Sequence, residues 1–255
     1  MIQHINKYFS VVLLIILISG CKHSEFYRIF NETGHKDDIY NQKQFDIFFS
    51  EMRNALPKDY SLTPIVFHRY QKKDSIINFV SFKKIWWGNK SIDPSNFDLV
   101  YKQDSLYTFL DKMLPEFELK DLDGNAFSSN ELIGKPTLIN FWQTNCRGCI
   151  AEIPQLNRLK EKYKDSVNFI SISNDREDFI IKILSSHGFN FKLLLDNHSY
   201  TNKTLNISGF PTNLFLDSNG ILREIKNSYE VDTLRLYDSG YLDEYEKILN
   251  KILKL

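Results

Sequence analysis

The feature that most constrains this chain is a mostly apolar run, Thr137 to Trp142, closely followed by Cys146-Arg147-Gly148-Cys149 and then by Ile153, Leu156, Leu159 and Tyr163 at helical spacing. The run is short, rich in β-forming residues and introduced by Gly134-Lys135-Pro136, so it reads as a buried central strand. The residues after the cysteines read as an amphipathic helix ending near Tyr163, and Val167 to Ser173 supplies a second strand. Strand, helix and strand in such quick succession make a βαβ unit with parallel strands and a right-handed crossover. A helix from Asp178 to Ser186, a strand from Phe191 to Leu195 and a short helix from Tyr200 to Leu205 extend it. A hairpin follows, from Thr212 to Leu216, through Asp217-Ser218-Asn219-Gly220, and back along Ile221 to Ile225. The last helix, Leu242 to Leu253, presents Leu242, Tyr245, Ile248, Leu249 and Ile252 on one face. Upstream, Phe117 to Leu119 is a short strand meeting the turn Asp121-Leu122-Asp123-Gly124. The expected class is α/β, a mixed sheet flanked by helices.

The cysteine pair sits where strand gives way to helix. Unpaired backbone N–H groups and the helix dipole favour an anion there, and a thiolate is the reactive form of cysteine. Cys146 is therefore the expected nucleophile, and Cys149, one turn further in and better shielded, the thiol that would resolve a mixed disulfide. Arg147 adds positive charge beside Cys146 and is expected to make the pair more oxidising than a neutral spacer would. The same spacing can bind zinc, which needs two more ligands. The only other cysteine is Cys21, and the six histidines, at 4, 23, 35, 68, 187 and 198, include no pair at ligand spacing. No metal or other cofactor is expected.

With 32 basic and 32 acidic residues, no net field draws the chain to nucleic acid or to an anionic membrane. Its first residues carry Lys7 and the apolar run Val11 to Ile18, too short to span a bilayer and suited to a signal peptide over 1–20. Leu17-Ile18-Ser19-Gly20-Cys21 resembles a lipobox, which implies cleavage before Cys21 and a lipid anchor on it; the alternative is an ordinary secretory signal with a chance cysteine. Either places the mature chain outside the cytoplasm. Residues 21–40 are polar without clear period and suit a tether. Residues 41–112 read as a smaller α+β region of unassigned role. Phe45, Phe48, Phe49, Met52 and Leu56 mark a helix closed by Pro57, and Ile65 to Tyr70 with Ile76 to Phe82 suggest a hairpin. Trp86-Trp87 is read as the edge of a packed core in preference to a docking surface.

Residues 113–255 resemble the thioredoxin superfamily through Phe141-Trp142, the Cys146/Cys149 pair, Pro154 and Gly209-Phe210-Pro211-Thr212. Leu114-Pro115-x-Phe117-x-Leu119, Asp123-Gly124 and the lipobox narrow the resemblance to the membrane-tethered TlpA/ResA type. It implies a thioredoxin-like fold, a cis Pro211 facing the cysteines and a helix bent at Pro154. It also implies proton handling by Glu152 beside the cysteines; the residue-level alternative is a surface glutamate favoured by the helix dipole. Asn140 stands where classical thioredoxins place a buried acid, which turns attention to Glu152 as the base. Asn145 replaces the Trp that many relatives carry before the first cysteine, a departure that bears on partner choice. The implied activity is thiol-disulfide exchange at the cell envelope, facing the periplasm, with protein thiols and disulfides as partners. A membrane electron donor would keep the pair reduced for selected disulfides, as in cytochrome c maturation. Two other classes compete: a peroxiredoxin-like peroxidase, whose Pro-x-x-x-Thr/Ser-x-x-Cys frame is missing around Cys146, and a lipid-anchored binding module with a vestigial redox domain.

Overall fold

The computed structural model describes residues 24–30, 39–57, 60–86, 100–101, 104–226 and 240–255, which divide between two units. The N-terminal unit holds β1 (Ser24–Phe30), β2 (Ile39–Asn41), α1 (Gln42–Asn54), β3 (Tyr60–Lys72), β4 (Ser75–Trp86) and β5 (Val100–Tyr101). The strands form one sheet in the order β2-β1-β4-β3-β5. Asn41 and Gln44 close a capping box at the start of α1, satisfying two of the N–H groups a helix end leaves open. Tyr27, Phe45, Val66 and Val80 form the buried cluster, with Tyr27 stacked on Phe45 at 4.3 Å.

In this unit one expectation is corrected and another, the hairpin, is found and extended. The segment 21–40 is not a plain tether, because Ser24–Phe30 pairs with Ile39–Asn41 and lies beside β4. Phe26, Tyr27 and Ile29 carry strong β preference, which the polar residues around them masked. The hairpin is also longer than its two apolar runs, extending from Tyr60 to Lys72 and from Ser75 to Trp86 around a Lys73-Asp74 turn. Cross-strand pairing carries it past Pro64, Lys83 and Lys84, residues that interrupt a strand signal. The signal segment 1–20, Cys21 and Trp87 lie outside the described residues, as does the Trp86 side chain.

The C-terminal unit contains β6 (Glu118–Lys120), β7 (Ala126–Ser128), β8 (Thr137–Trp142), α2 (Arg147–Tyr163), β9 (Asn168–Ser173), α3 (Glu177–His187), β10 (Lys192–Leu195), β11 (Thr212–Leu216), β12 (Leu222–Lys226) and α4 (Gly240–Ile252). Its sheet runs β12-β11-β8-β9-β10-β6-β7. The central β8, β9 and β10 are parallel, whereas β11, β12, β6 and β7 each run antiparallel to their neighbours. This is the mixed, helix-flanked α/β sheet anticipated from the sequence. β7 was not anticipated. It returns along β6 through a turn in which the Asp121 carboxylate accepts the N–H groups of Asp123 at 3.1 Å and Asn125 at 2.9 Å, with Gly124 at φ 83°.

All six residues of β8 are buried. Leu138 and Trp142 point into the main core with Cys149, Ile153, Leu156 and Leu159 of α2, Phe215 of β11, and Tyr245 and Leu249 of α4. The expected short helix after β10 is a π-type turn over Ser199–Thr204. Its first N–H groups converge on one buried carboxylate, Asp196, which accepts from Ser199, Tyr200 and Thr201 at 2.7–3.2 Å. No described helix is long and apolar enough to cross a membrane.

Candidate active site

β8 ends at Trp142, and the turn that follows is held by β9's continuation. Gln143 donates to Asn174 at 3.0 Å, and the Thr144 N–H donates to the Asp175 carboxylate at 2.5 Å. This anchoring delivers Cys146 to the N-cap of α2 with extended backbone geometry. The backbone N–H of Cys149 donates to Cys146 Sγ at 3.1 Å, so the sulfur occupies the place of a capping oxygen. The two cysteines are disulfide-bonded with Cα atoms 5.2 Å apart. Cys146 is half-buried, whereas Cys149 is only 1% exposed. Arg147 is exposed at the first helical position.

Pro154 lies inside α2, where its missing N–H leaves the Ile150 carbonyl without its helical donor. The Phe210–Pro211 peptide is cis. Pro211 is buried and leads directly into β11, whose Thr212 stands opposite Phe141 near the end of β8. The cis-proline turn and the cysteine turn thus leave adjacent strands at the same end of the sheet. Phe210, just before the proline, packs against the core cluster that Cys146 also touches.

Glu152 is 0% exposed, which removes the surface-glutamate alternative. It falls on the buried stripe of α2, one turn from Cys149 and from Leu156. Its Oε1 accepts from Asn140 Nδ2 at 2.7 Å, and its Oε2 from Asn213 Nδ2 at 3.5 Å. Asn140 also donates to Asn213 Oδ1 at 2.8 Å, and Asn213 to the Tyr245 hydroxyl at 2.8 Å. Asn213 was not singled out from the sequence. An amide side chain immediately before the apolar Leu214-Phe215-Leu216 of this strand was the available signal. Tyr245 was read only as part of an apolar stripe, which its ring satisfies while its hydroxyl joins the polar network. Among the described residues, no three His, Cys, Asp or Glu side chains gather as a metal site would require.

Comparison with known proteins bears on this geometry. The AhpC/TSA family model matches residues 110–225. Over 129 residues the chain is 30% identical to the thiol-disulfide oxidoreductase ResA of Bacillus thuringiensis subsp. konkukian, covering 49% of this chain and 75% of that protein. The chain belongs to the ResA family of thiol-disulfide oxidoreductases, within the thioredoxin superfamily. A second relative of this ResA-family chain is the thioredoxin-like protein YneN of Bacillus subtilis, 31% identical over 116 residues, or 44% of this chain and 67% of that protein. The thioredoxin domain of a thiol-disulfide oxidoreductase from Bacteroides vulgatus is 25% identical, covers 55% of this chain and 98% of its own, and superposes with a TM-score of 0.46.

Proposed function

We propose that Cys146 and Cys149 are the reacting thiols and that the chain reduces selected disulfides of partner polypeptides outside the cytoplasm. The observation that carries this reading is the Cys149 N–H aimed at Cys146 Sγ at 3.1 Å, since a donor and a helix N-terminus at that sulfur stabilise its thiolate. In the reduced chain the Cys146 thiolate attacks one sulfur of a target disulfide. A mixed disulfide forms, and the first target sulfur departs as a thiolate. Cys149 then loses its proton to the Glu152 carboxylate and attacks Cys146 Sγ, which releases the second target thiolate and closes the Cys146–Cys149 disulfide. Two electrons pass to the target, and an external dithiol donor in the membrane returns them.

Pro211 contributes by position: it leads directly into β11 at the end of the sheet where the cysteine turn lies, and the backbone beside it is where a target strand can pair. Lipidation of Cys21 would tether this chemistry to the envelope surface facing the periplasm, and cytochrome c maturation is one process that needs a tethered reductant of this kind. The test combines insulin disulfide reduction by the pre-reduced chain with trapping of mixed disulfides by Cys149→Ala in envelope fractions. Insulin reduction that depends on Cys146, with trapped partners released by dithiothreitol, supports the reading. Peroxide consumption without disulfide reduction, or activity that survives alkylation of both thiols, overturns it.

A further inference from the structure

We infer that Asn140 and Asn213 are positioning residues that hold the buried Glu152 side chain as a carboxylate, ready to take the Cys149 proton. The inference rests on the role of Glu152 proposed above and extends it to two residues from a different part of the chain. Asn140 of β8 and Asn213 of β11 are direct partners in the antiparallel register, which puts both side chains on one face of the sheet. That face is the one α2 and α4 cover, because Leu138, Trp142 and Phe215, two residues away along the same strands, all lie in the core with Cys149 and Tyr245. Asn140 is 1% exposed and Asn213 and Glu152 are 0% exposed, so the carboxylate has no contact with bulk solvent.

The direction of the hydrogen bonds decides what the pair favours. Asn140 uses one N–H on Glu152 Oε1 and the other on Asn213 Oδ1. Asn213 uses one on Glu152 Oε2 and the other on the Tyr245 hydroxyl. Both amides therefore present donors to Glu152, and Asn213 Oδ1 is already occupied by Asn140. An ionised carboxylate accepts from both sides, whereas a carboxylic acid would turn a proton toward a donor. Burial alone disfavours the charged form, and hydrogen bonds to the charged form oppose that. Asparagine supplies them without a titrating group of its own. The charged and titratable groups around this face are Cys149 on the same helix, Tyr245 and Glu244 on α4, and Lys226 and Glu224 on β12. Lys226 stands opposite Asn213 in the register and bonds Glu244 at 2.5 Å.

The test measures disulfide exchange by the full-length reduced chain against pH for the parent, Asn140→Leu, Asn213→Leu, Asn213→Asp and Glu152→Gln, with thermal melting as a fold control. Removing either amide should move the midpoint of the profile to higher pH by about one unit, and Asn213→Asp, which replaces a donor with an acceptor, should move it further. In a Glu152→Gln background these shifts should vanish. If Glu152→Gln itself leaves the profile unchanged, the proton-acceptor role of Glu152 fails; if it alters the profile while folded asparagine variants do not, the positioning role alone fails. Should the asparagine variants not fold, the infrared difference spectrum between parent and Glu152→Gln decides the matter. A carboxylic C=O band assignable to Glu152 across the pH range of rapid exchange overturns the inference, and its absence there upholds it.

Discussion

Cys149 donates its backbone N–H to the sulfur of Cys146 at 3.1 Å, so the residue that would resolve the mixed disulfide also stabilises the attacking one. The same helical turn that shields Cys149 leaves Cys146 half-buried and reachable. Unequal reactivity of the two thiols should follow. In the reduced chain at neutral pH, iodoacetamide is expected to modify Cys146 first, with Cys149 protected until unfolding. Cys146→Ser should lower disulfide-reducing turnover on the order of a thousandfold or more, the usual result of deleting a nucleophile. Mass spectrometry of the partly alkylated chain checks the order, and equal labelling of the two positions would contradict it.

Arg147 is exposed one residue from Cys146, and a positive charge there favours a thiolate, which exists only in the reduced chain. A charge at such a site is worth about 0.3–1 kcal/mol, which for a two-electron couple is about 5–20 mV. Arg147→Gln should therefore make the pair more reducing by that amount at low salt and by less at high salt. Equilibration with glutathione buffers measures it; a shift toward a more oxidising potential refutes the electrostatic account.

Tyr200 ties the turn after β10 to the strand-entry segment, donating its hydroxyl proton to the Pro115 carbonyl at 2.9 Å and packing on Phe117 at 4.7 Å. Burial pushes the Tyr200 phenol well above its ordinary value, and the nearby Asp196 carboxylate pushes it the same way. The folded chain thus keeps the phenol proton to higher pH than the unfolded chain does. The resulting stability is complete below about pH 10 and is lost as pH rises beyond it. Tyr200→Phe should cost about 1 kcal/mol at neutral pH through the lost hydrogen bond and should flatten the alkaline decline. Urea midpoints measured from pH 7 to 11 test both parts.

Asp217, 1% exposed, organises the β11–β12 hairpin. Its Oδ1 accepts from the N–H groups of Asn219 at 2.9 Å and Ile221 at 3.1 Å, and its Oδ2 accepts Arg223 Nε at 2.8 Å. Asp217→Ala leaves those donors without their acceptor and should lower stability by about 2 kcal/mol. Arg223 keeps its second partner, Asp111, at 2.7 Å, which limits the loss. Because the turn stands at the far end of β11 from Pro211, exchange activity at temperatures where the variant is folded should match the parent. A drop in activity without a drop in melting temperature would show that the turn reaches the cysteines.

Much of the C-terminal unit was legible because each element is locally consistent. Thr137–Trp142 carries β preference at every position but Asn140, Asp217-Ser218-Asn219-Gly220 is strong turn chemistry, and α4 shows its stripe in sequence. The N-terminal strand at Ser24–Phe30 was obscured by charged neighbours, and β7 is only three residues long, too short to show a period. Glu152 could have been placed inside from its own helix, since it shares a stripe with Cys149, Ile153 and Leu156; a charged side chain on such a stripe is easily set aside because burial normally excludes it.

The order of residues along the chain was enough to set the strand, the cysteine turn and the helix that follows it, because strand preference, capping geometry and helical period act over a few neighbouring positions. The surroundings of Glu152 were decided by tertiary structure alone. Asn140 and Asn213 meet only when β11 pairs beside β8, 73 residues apart in sequence, and Tyr245 joins them only when α4 closes over the same face. Hydrogen bonds between such distant groups depend on strand register and helix packing, which no local pattern encodes.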